Sequence, residues 1–141
     1  MRTQVISIGY EQRSISEFLD VLLEHKVEKL VDVRELPLSR KKGFSKASLS
    51  ESLSSVGIQY RHVRAAGNPH RKQKSNIDQC LALYSNYLKN NPHVLEVVAA
   101  ELSKKPTAIL CYERKHRNCH RSILLDSLCQ NGFRYRLIEV Q

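Results

Sequence analysis

Thr107-Ala108-Ile109-Leu110-Cys111-Tyr112-Glu113-Arg114-Lys115-His116-Arg117-Asn118-Cys119-His120-Arg121-Ser122-Ile123-Leu124-Leu125-Asp126-Ser127-Leu128 is the stretch that decides the fold. It opens on a short apolar run bounded by polar residues, which reads as a buried strand. It closes on apolar residues at helical spacing, which read as an amphipathic helix. Between them stand two thiols, two imidazoles, a set of arginines and lysines, and one carboxylate. A strand-to-helix loop lies at the carboxyl edge of an open α/β sheet, where ligands bind. Reactive groups packed this densely are poor material for a core and good material for a site.

Working outward, the same alternation repeats. Val5–Ile8 reads as a strand closed by Gly9. Ser14-Ile15-Ser16-Glu17 is a capping box, in which hydroxyl and carboxylate each satisfy the other residue's amide. The helix it opens carries Ile15, Phe18, Leu19, Leu22 and Leu23 on one stripe and ends near His25-Lys26. Leu30–Val33 is the second strand, followed by a polar loop from Arg34 to Phe44. Ser45 is the expected N-cap of a helix holding Leu49 and Leu53, stopped by Gly57. Ile58–Val63 is the third strand, and Gly67-Asn68-Pro69 marks a turn in the loop behind it. Ile77–Asn90 and Pro92–Lys104 follow as helices, then the Thr107–Cys111 strand, the His120–Gln130 helix and a Tyr135–Val140 strand. The order β-α-β-α-β-α-α-β-α-β predicts one three-layer α/β domain over residues 1–141. Its sheet is expected to be mainly parallel, of about five strands, with helices on both faces.

Size and composition agree. A chain of 141 residues is long enough for one real core. No apolar run approaches the ~18 residues of a membrane span. The N-terminus runs straight into a strand without signal-peptide organisation, so a cytoplasmic address and reduced cysteines are expected. Cys80 and Cys129 fall on apolar helix faces and read as small core residues. The formal net charge is +9. The excess is clustered at Arg40-Lys41-Lys42 with Lys46, at Arg61-His62-Val63-Arg64, at His70-Arg71-Lys72-Gln73-Lys74, and from Arg114 to Arg121. Such a surface attracts phosphate, nucleotides or nucleic acid, although net charge alone also fits a basic protein with no polyanionic partner.

The chemistry-bearing residues fall in two loops. With a helix starting at His120, Cys119 sits at the N-cap, where free amides and the helix dipole favour a thiolate. Arg117, His120 and Arg121 push the same way, which makes Cys119 a candidate nucleophile. The same geometry also makes an anion cradle with no covalent step. Cys111, at its strand end, is a second candidate nucleophile, and Cys111 with Arg117 satisfies a Cys-x5-Arg spacing. No glycine stands between them to help backbone amides turn inward. Cys111, His116, Cys119 and His120 are all possible zinc ligands. Their spacing matches no strong zinc pattern, adjacent Cys119 and His120 would need contorted geometry, and the cations nearby oppose an ion. No metal and no cofactor are therefore expected. Glu113 is either salt-bridged to Arg114, Arg121 or Arg34, or it is a general base or the group that orients His120. Asp32, facing inward near its strand end, needs a partner such as Arg34 or Arg121. That leaves either a structural ion pair or a catalytic role. Arg34 and Arg40 are natural anion ligands, and Phe44 either stacks on a base or caps the core.

Asp32-Val33-Arg34-x-x-Pro37-x-Ser39-Arg40-x-x-Gly43-Phe44, together with Cys111-x-Glu113 and Cys119-His120-Arg121, resembles the "domain of unknown function 488" family. Ile8-Gly9-Tyr10-Glu11 before Ser14-Ile15 fits as well, and the resemblance covers nearly the whole chain. It implies a compact α/β domain with these residues gathered in one pocket, and it brings no settled activity. Family members often carry a Gly-Gly pair where this chain has Ala65-Ala66-Gly67-Asn68-Pro69-His70, and Asp-Pro where it has Lys115-His116. A looser likeness is to rhodanese-type sulfurtransferases, with Asp-x-Arg at an early strand end, a cysteine after a central strand and a helix beginning Arg121-Ser122. The loop between is longer here, so this is a fold-level analogy.

The expected function is a phosphate-, nucleotide- or nucleic-acid-binding protein with one cationic pocket. Arg34, Arg40, Arg117 and Arg121 would hold the anion. Cys119, His120, Glu113 and Asp32 would carry or support a cysteine-dependent transfer or hydrolysis. The alternatives are a non-catalytic nucleic-acid-binding module and a sulfurtransferase acting through Cys111.

Overall fold

Every strand of the sheet runs parallel, in the order β3-β2-β4-β1-β5. The structure, a computed structural model, describes residues 3–70, 76–102 and 105–140. The strands are β1 (Thr3–Gly9), β2 (Lys29–Asp32), β3 (Gln59–His62), β4 (Thr107–Cys111) and β5 (Tyr135–Glu139). The helices are α1 (Ile15–Glu24), α2 (Lys46–Ser55), α3 (Ile77–Asn90), α4 (His93–Leu102) and α5 (His120–Gln130). The basic run 71–74 falls outside the described residues, as does Lys104 at the expected end of α4. Two 3-10 turns, Arg64–Ala66 and His116–Asn118, were not foreseen, because neither has the length to show a periodicity. Among the described residues, no helix is long and apolar enough to cross a membrane.

Parallel strands covered on both faces bury every position, and β4 is buried throughout. Successive residues of β1 feed different cores. Val5 joins Val31, Ile109 and the buried faces of α3, α4 and α5. Ile6 and Ile8 join Phe18, Leu22, Leu49 and Leu53 from α1 and α2. The capping box at Ser14 forms as the sequence requires: Ser14 N donates to Glu17 Oε1 and Glu17 N to Ser14 Oγ, both at 3.1 Å. Ser45 caps α2 with its backbone conformation alone, since its hydroxyl donates to Ser48 Oγ instead. Gly132 follows the C-cap Asn131 of α5 with φ +89°, the left-handed position expected of it. Two expectations fail: Cys129 is exposed and Cys80 is half-buried, so neither is a core residue. Helical periodicity placed them on an apolar stripe, but Cys80 lines the wall of a surface hollow beside Asn68 and Cys129 opens to solvent near the end of α5.

The topology places the site. β1 sends its chain through α1 on one face towards β2, while its neighbour β4 sends its chain through α5 on the other face towards β5. Adjacent strands whose connections leave on opposite faces open a crevice at their carboxyl ends. The register aligns Gly9 with Cys111 at that edge. The two chains stay paired beyond it, through Tyr10 N to Cys111 O at 3.3 Å and Glu11 N to Tyr112 O at 2.9 Å. Gly9 permits this approach, because a Cβ there would lie 1.8 Å from the Glu113 carbonyl oxygen. Gly9→Ala should therefore cost about 3 kcal/mol through overpacking. Gly57→Ala, at φ +78° with no atom within 4 Å, should cost only the ~1–2 kcal/mol of left-handed backbone strain. Urea denaturation of the two variants checks the order, and an equal cost would refute the steric account of Gly9.

A thiol–imidazole cluster at the sheet switch point

Six segments meet at the crevice around a hollow of about 550 Å³. Tyr10 and Glu11 come from the exit of β1, Arg34 to Leu36 and Leu38 from the exit of β2, and Cys111 to Glu113 from β4. Asn68 comes from the turn after β3, α3 contributes Ile77, Cys80 and Leu81, and α5 contributes its first residue, His120. The loops carrying Arg34 and His120 thus converge.

At the floor, Cys119 is the N-cap of α5, as its position before His120 demands, and its sulfur accepts the Arg121 amide at 3.5 Å. His120 donates Nε2–H to the Val33 carbonyl at 2.8 Å. In the neutral ring that leaves the proton on Nε2; Nδ1 lies 3.7 Å from Cys119 Sγ, while Cys111 Sγ stands over the ring, 3.5 Å from Nδ1 and 4.0 Å from Nε2. Tyr84 packs edge-on against the ring at 5.0 Å between centroids and holds its orientation. Cys111 donates to Glu113 Oε2 at 3.4 Å.

The electrostatics follow. Burial opposes a charged Cys119, but the Cys111 thiol, His120 and Arg121 outweigh it and pull the Cys119 thiol well below the ordinary range. Burial and the neighbouring Cys119 thiolate push the Cys111 thiol well up. Burial also opposes an imidazolium at His120, yet the Cys119 thiolate and the Val33 carbonyl raise its pKa. Burial raises Glu113, and Cys119 adds to it. Negative charge is therefore favoured on Cys119 over Cys111, and it makes His120 a better proton acceptor. The access is reversed: Cys111 lines the hollow and is 6% exposed, whereas Cys119 lies behind it at 1%.

The remaining expected residues fall in different places. Asp32 is fully buried and does not reach the hollow. Arg34 grips it from the side, with Nε to Oδ1 at 2.9 Å and Nη2 to Oδ2 at 2.7 Å, and the Tyr60 hydroxyl adds a bond at 2.6 Å. This is the structural ion pair. It raises the Arg34 pKa against burial, while burial and the Asp32 charge raise Tyr60. Arg34 faces the hollow but is also committed to the Phe44 carbonyl at 2.6 Å. Phe44 belongs to the core, stacked on Tyr10 at 4.6 Å. Arg121 is 0% exposed, donates Nη2 to the Glu113 carbonyl, and pins the β4–α5 loop from beneath. Arg40 and Arg117 are exposed and do not line the hollow. The lining therefore carries one arginine, already paired, against Glu11, Glu35 and Glu113. The basic excess lies on the loops beside it. Sequence reasoning missed the apolar side of the mouth. Leu36, Leu38 and Ile77 are exposed there, and Leu36-Pro37-Leu38 inside a polar loop was the available signal.

These features define an α/β domain with a buried cysteine–histidine–cysteine cluster at its switch point. The family model described as "Domain of unknown function DUF488" matches residues 14–128, and the chain belongs to that family. No curated protein and no solved structure matches it, so the rhodanese likeness gains no support.

Two outcomes check this geometry. Asp32→Ala strands the buried Arg34 guanidinium and should cost roughly 3–5 kcal/mol in urea denaturation. Iodoacetamide labelling followed by peptide mass spectrometry should find Cys129 modified first and Cys111 well ahead of Cys119. Simultaneous labelling of Cys111 and Cys119 would contradict their depth order.

Proposed function

We propose that the protein is a cysteine-dependent enzyme in which Cys111 is the attacking sulfur, His120 its proton acceptor and Cys119 the charge-bearing partner. The observation that carries this reading is the 3.5 Å contact between His120 Nδ1 and Cys111 Sγ, with Nε2 anchored on Val33 and the sulfur opening to the hollow. The order of Cys111 and Cys119 is the reverse of the one that helix-start position alone favours. Helix-dipole stabilisation makes Cys119 the better thiolate, but an attacking sulfur must also reach its substrate. Burial raises the Glu113 carboxyl, which suits it to pass a proton to a leaving group.

The ligand class follows from how charge is distributed. The hollow is lined by apolar and aromatic side chains interleaved with Glu11, Glu35 and Glu113, so it suits a neutral ring better than a phosphate. The cations beside it, Arg40 and Lys42 on one loop and Lys115 and Arg117 on the other, are exposed and suit an anionic backbone. A nucleotide or single-stranded nucleic acid with its base in the hollow and its phosphates on the rim satisfies both. Tyr112, 45% exposed at the mouth, offers a stacking face. The reaction class is transfer or hydrolysis at an electrophilic centre of that base or its sugar.

A chloroacetamide-bearing nucleotide analogue tests the reading. It should alkylate Cys111 at least ten times faster than chloroacetamide itself, and Cys111→Ser should abolish the adduct. Equal rates would remove the nucleotide-binding hollow. A fluorescent single-stranded oligonucleotide tests the rim. Replacing both Arg40 and Arg117 by alanine should flatten the salt dependence of its binding by a slope of roughly 1–2. A non-catalytic nucleic-acid module is the second reading, favoured by those exposed cations, and it predicts binding without accelerated alkylation.

A further inference from the structure

The sulfurs of Cys111 and Cys119 face one another across the β4–α5 loop, within 4.8 Å. Their surroundings divide one reaction between them. Cys111 lines the hollow and is reached from it, whereas Cys119 is sealed behind it at 1% exposure. From this placement we infer that the two cysteines form a peroxide-responsive redox pair: a hydroperoxide entering the hollow oxidises Cys111 to a sulfenic acid, and Cys119 closes on it as a disulfide.

Three observations support the pair. A disulfide brings its sulfurs to about 2.05 Å. The residues between the two cysteines hold no strand and no helix beyond the 3-10 turn His116–Asn118. Side-chain rotation and a loop adjustment therefore close the gap while the sheet stays intact. Next, the enclosed Arg121 guanidinium has Nε and Nη1 without a hydrogen-bond partner among the described residues. This buried cation favours negative charge on Cys119. A thiol attacks a second sulfur as its thiolate, so Cys119 acts without a base of its own. Finally, the other cysteines are held elsewhere. Cys80 Sγ accepts from the Asn68 amide and donates to the His70 carbonyl, both at 3.3 Å, and Cys129 is exposed near the end of α5.

In the first step a sulfur electron pair of Cys111 forms an S–O bond to the terminal peroxide oxygen. The O–O bond breaks, and the thiol proton ends on the departing oxygen, which leaves as an alcohol or as water. In the second step the Cys119 thiolate forms the S–S bond, the S–O bond breaks, and the hydroxide takes up a proton and leaves as water. The peroxide gains two electrons and the cysteines lose two. Reversal also starts from the hollow. A small thiol reaches the Cys111 sulfur and expels Cys119, whose lowered pKa makes it the better leaving group. While the disulfide stands, it withholds the sulfur on which the proposed enzyme depends. The pair shares Cys111 with that enzyme but not its nucleotide, so the two readings fail separately.

The test treats the reduced full chain with hydrogen peroxide until the peroxide is consumed, blocks the remaining thiols with iodoacetamide and maps the peptides by mass spectrometry. The expected product is a Cys111–Cys119 link, with an intact mass lower by two hydrogens before blocking, and dithiothreitol should restore both thiols. This measurement needs no variant to fold. Cys119→Ser should strand Cys111 as a sulfenic acid, which dimedone traps at least about ten times more than in the unsubstituted chain. Cys80→Ser and Cys129→Ser should leave the link in place. A link through Cys80 or Cys129, or a Cys111 still open to iodoacetamide after peroxide, would overturn the pair. The link without accelerated alkylation by the nucleotide analogue would overturn the nucleotide reading instead.

Discussion

The hydrogen bond from His120 Nε2 to the Val33 carbonyl ties the start of α5 to the exit of β2, and the site is organised around it. It links two segments far apart in sequence. It sets the tautomer, and through the tautomer it leaves Nδ1 free beside the two sulfurs. Val33 is itself fixed, since its amide donates to the Leu110 carbonyl at 3.1 Å, so the anchor rests on the sheet rather than on a loop. A chemical group supported by strand backbone keeps its position more closely than one supported by side chains alone.

Charge is arranged in layers around this point. The innermost layer holds the buried Asp32–Arg34 pair and the fully enclosed Arg121 guanidinium, which donates Nη2 to the Glu113 carbonyl. The middle layer is the two cysteines with the imidazole and Glu113, whose carboxyl burial raises. The outer layer is the exposed basic loops. A formal charge of +9 therefore says much about the surface and little about the hollow.

The fold was legible because its elements are long and periodic. Helix α3, strand β4 and helix α5 begin and end where apolar spacing and the Cys119–His120 boundary put them. The Asp32–Arg34 pairing was legible too, since an inward carboxylate must find a cation. Sequence could name the residues of the site but not their depth. Arg40, Arg117 and Arg121 look alike in a string, yet two are exposed and one is sealed beneath the Glu113 carbonyl. Depth depends on how close two loops come, and that is set by Gly9, whose missing side chain leaves no trace in periodicity. Gly67 acts similarly: a Cβ there would come within 2.4 Å of the Glu35 backbone, so the turn after β3 lies flat on the β2 exit and delivers Asn68 to the wall.

The alternation of Val5 and Ile6 between two separate cores has a bearing on assembly of the molecule. A shift of β1 by a single position would turn each of these side chains into the wrong compartment at once. Alignment is thus enforced from above and below together, and neither half of the helical coat can settle while the other is missing. Cys111 and Cys119 belong to the core beneath α3, α4 and α5, so they meet His120 only after that layer has docked.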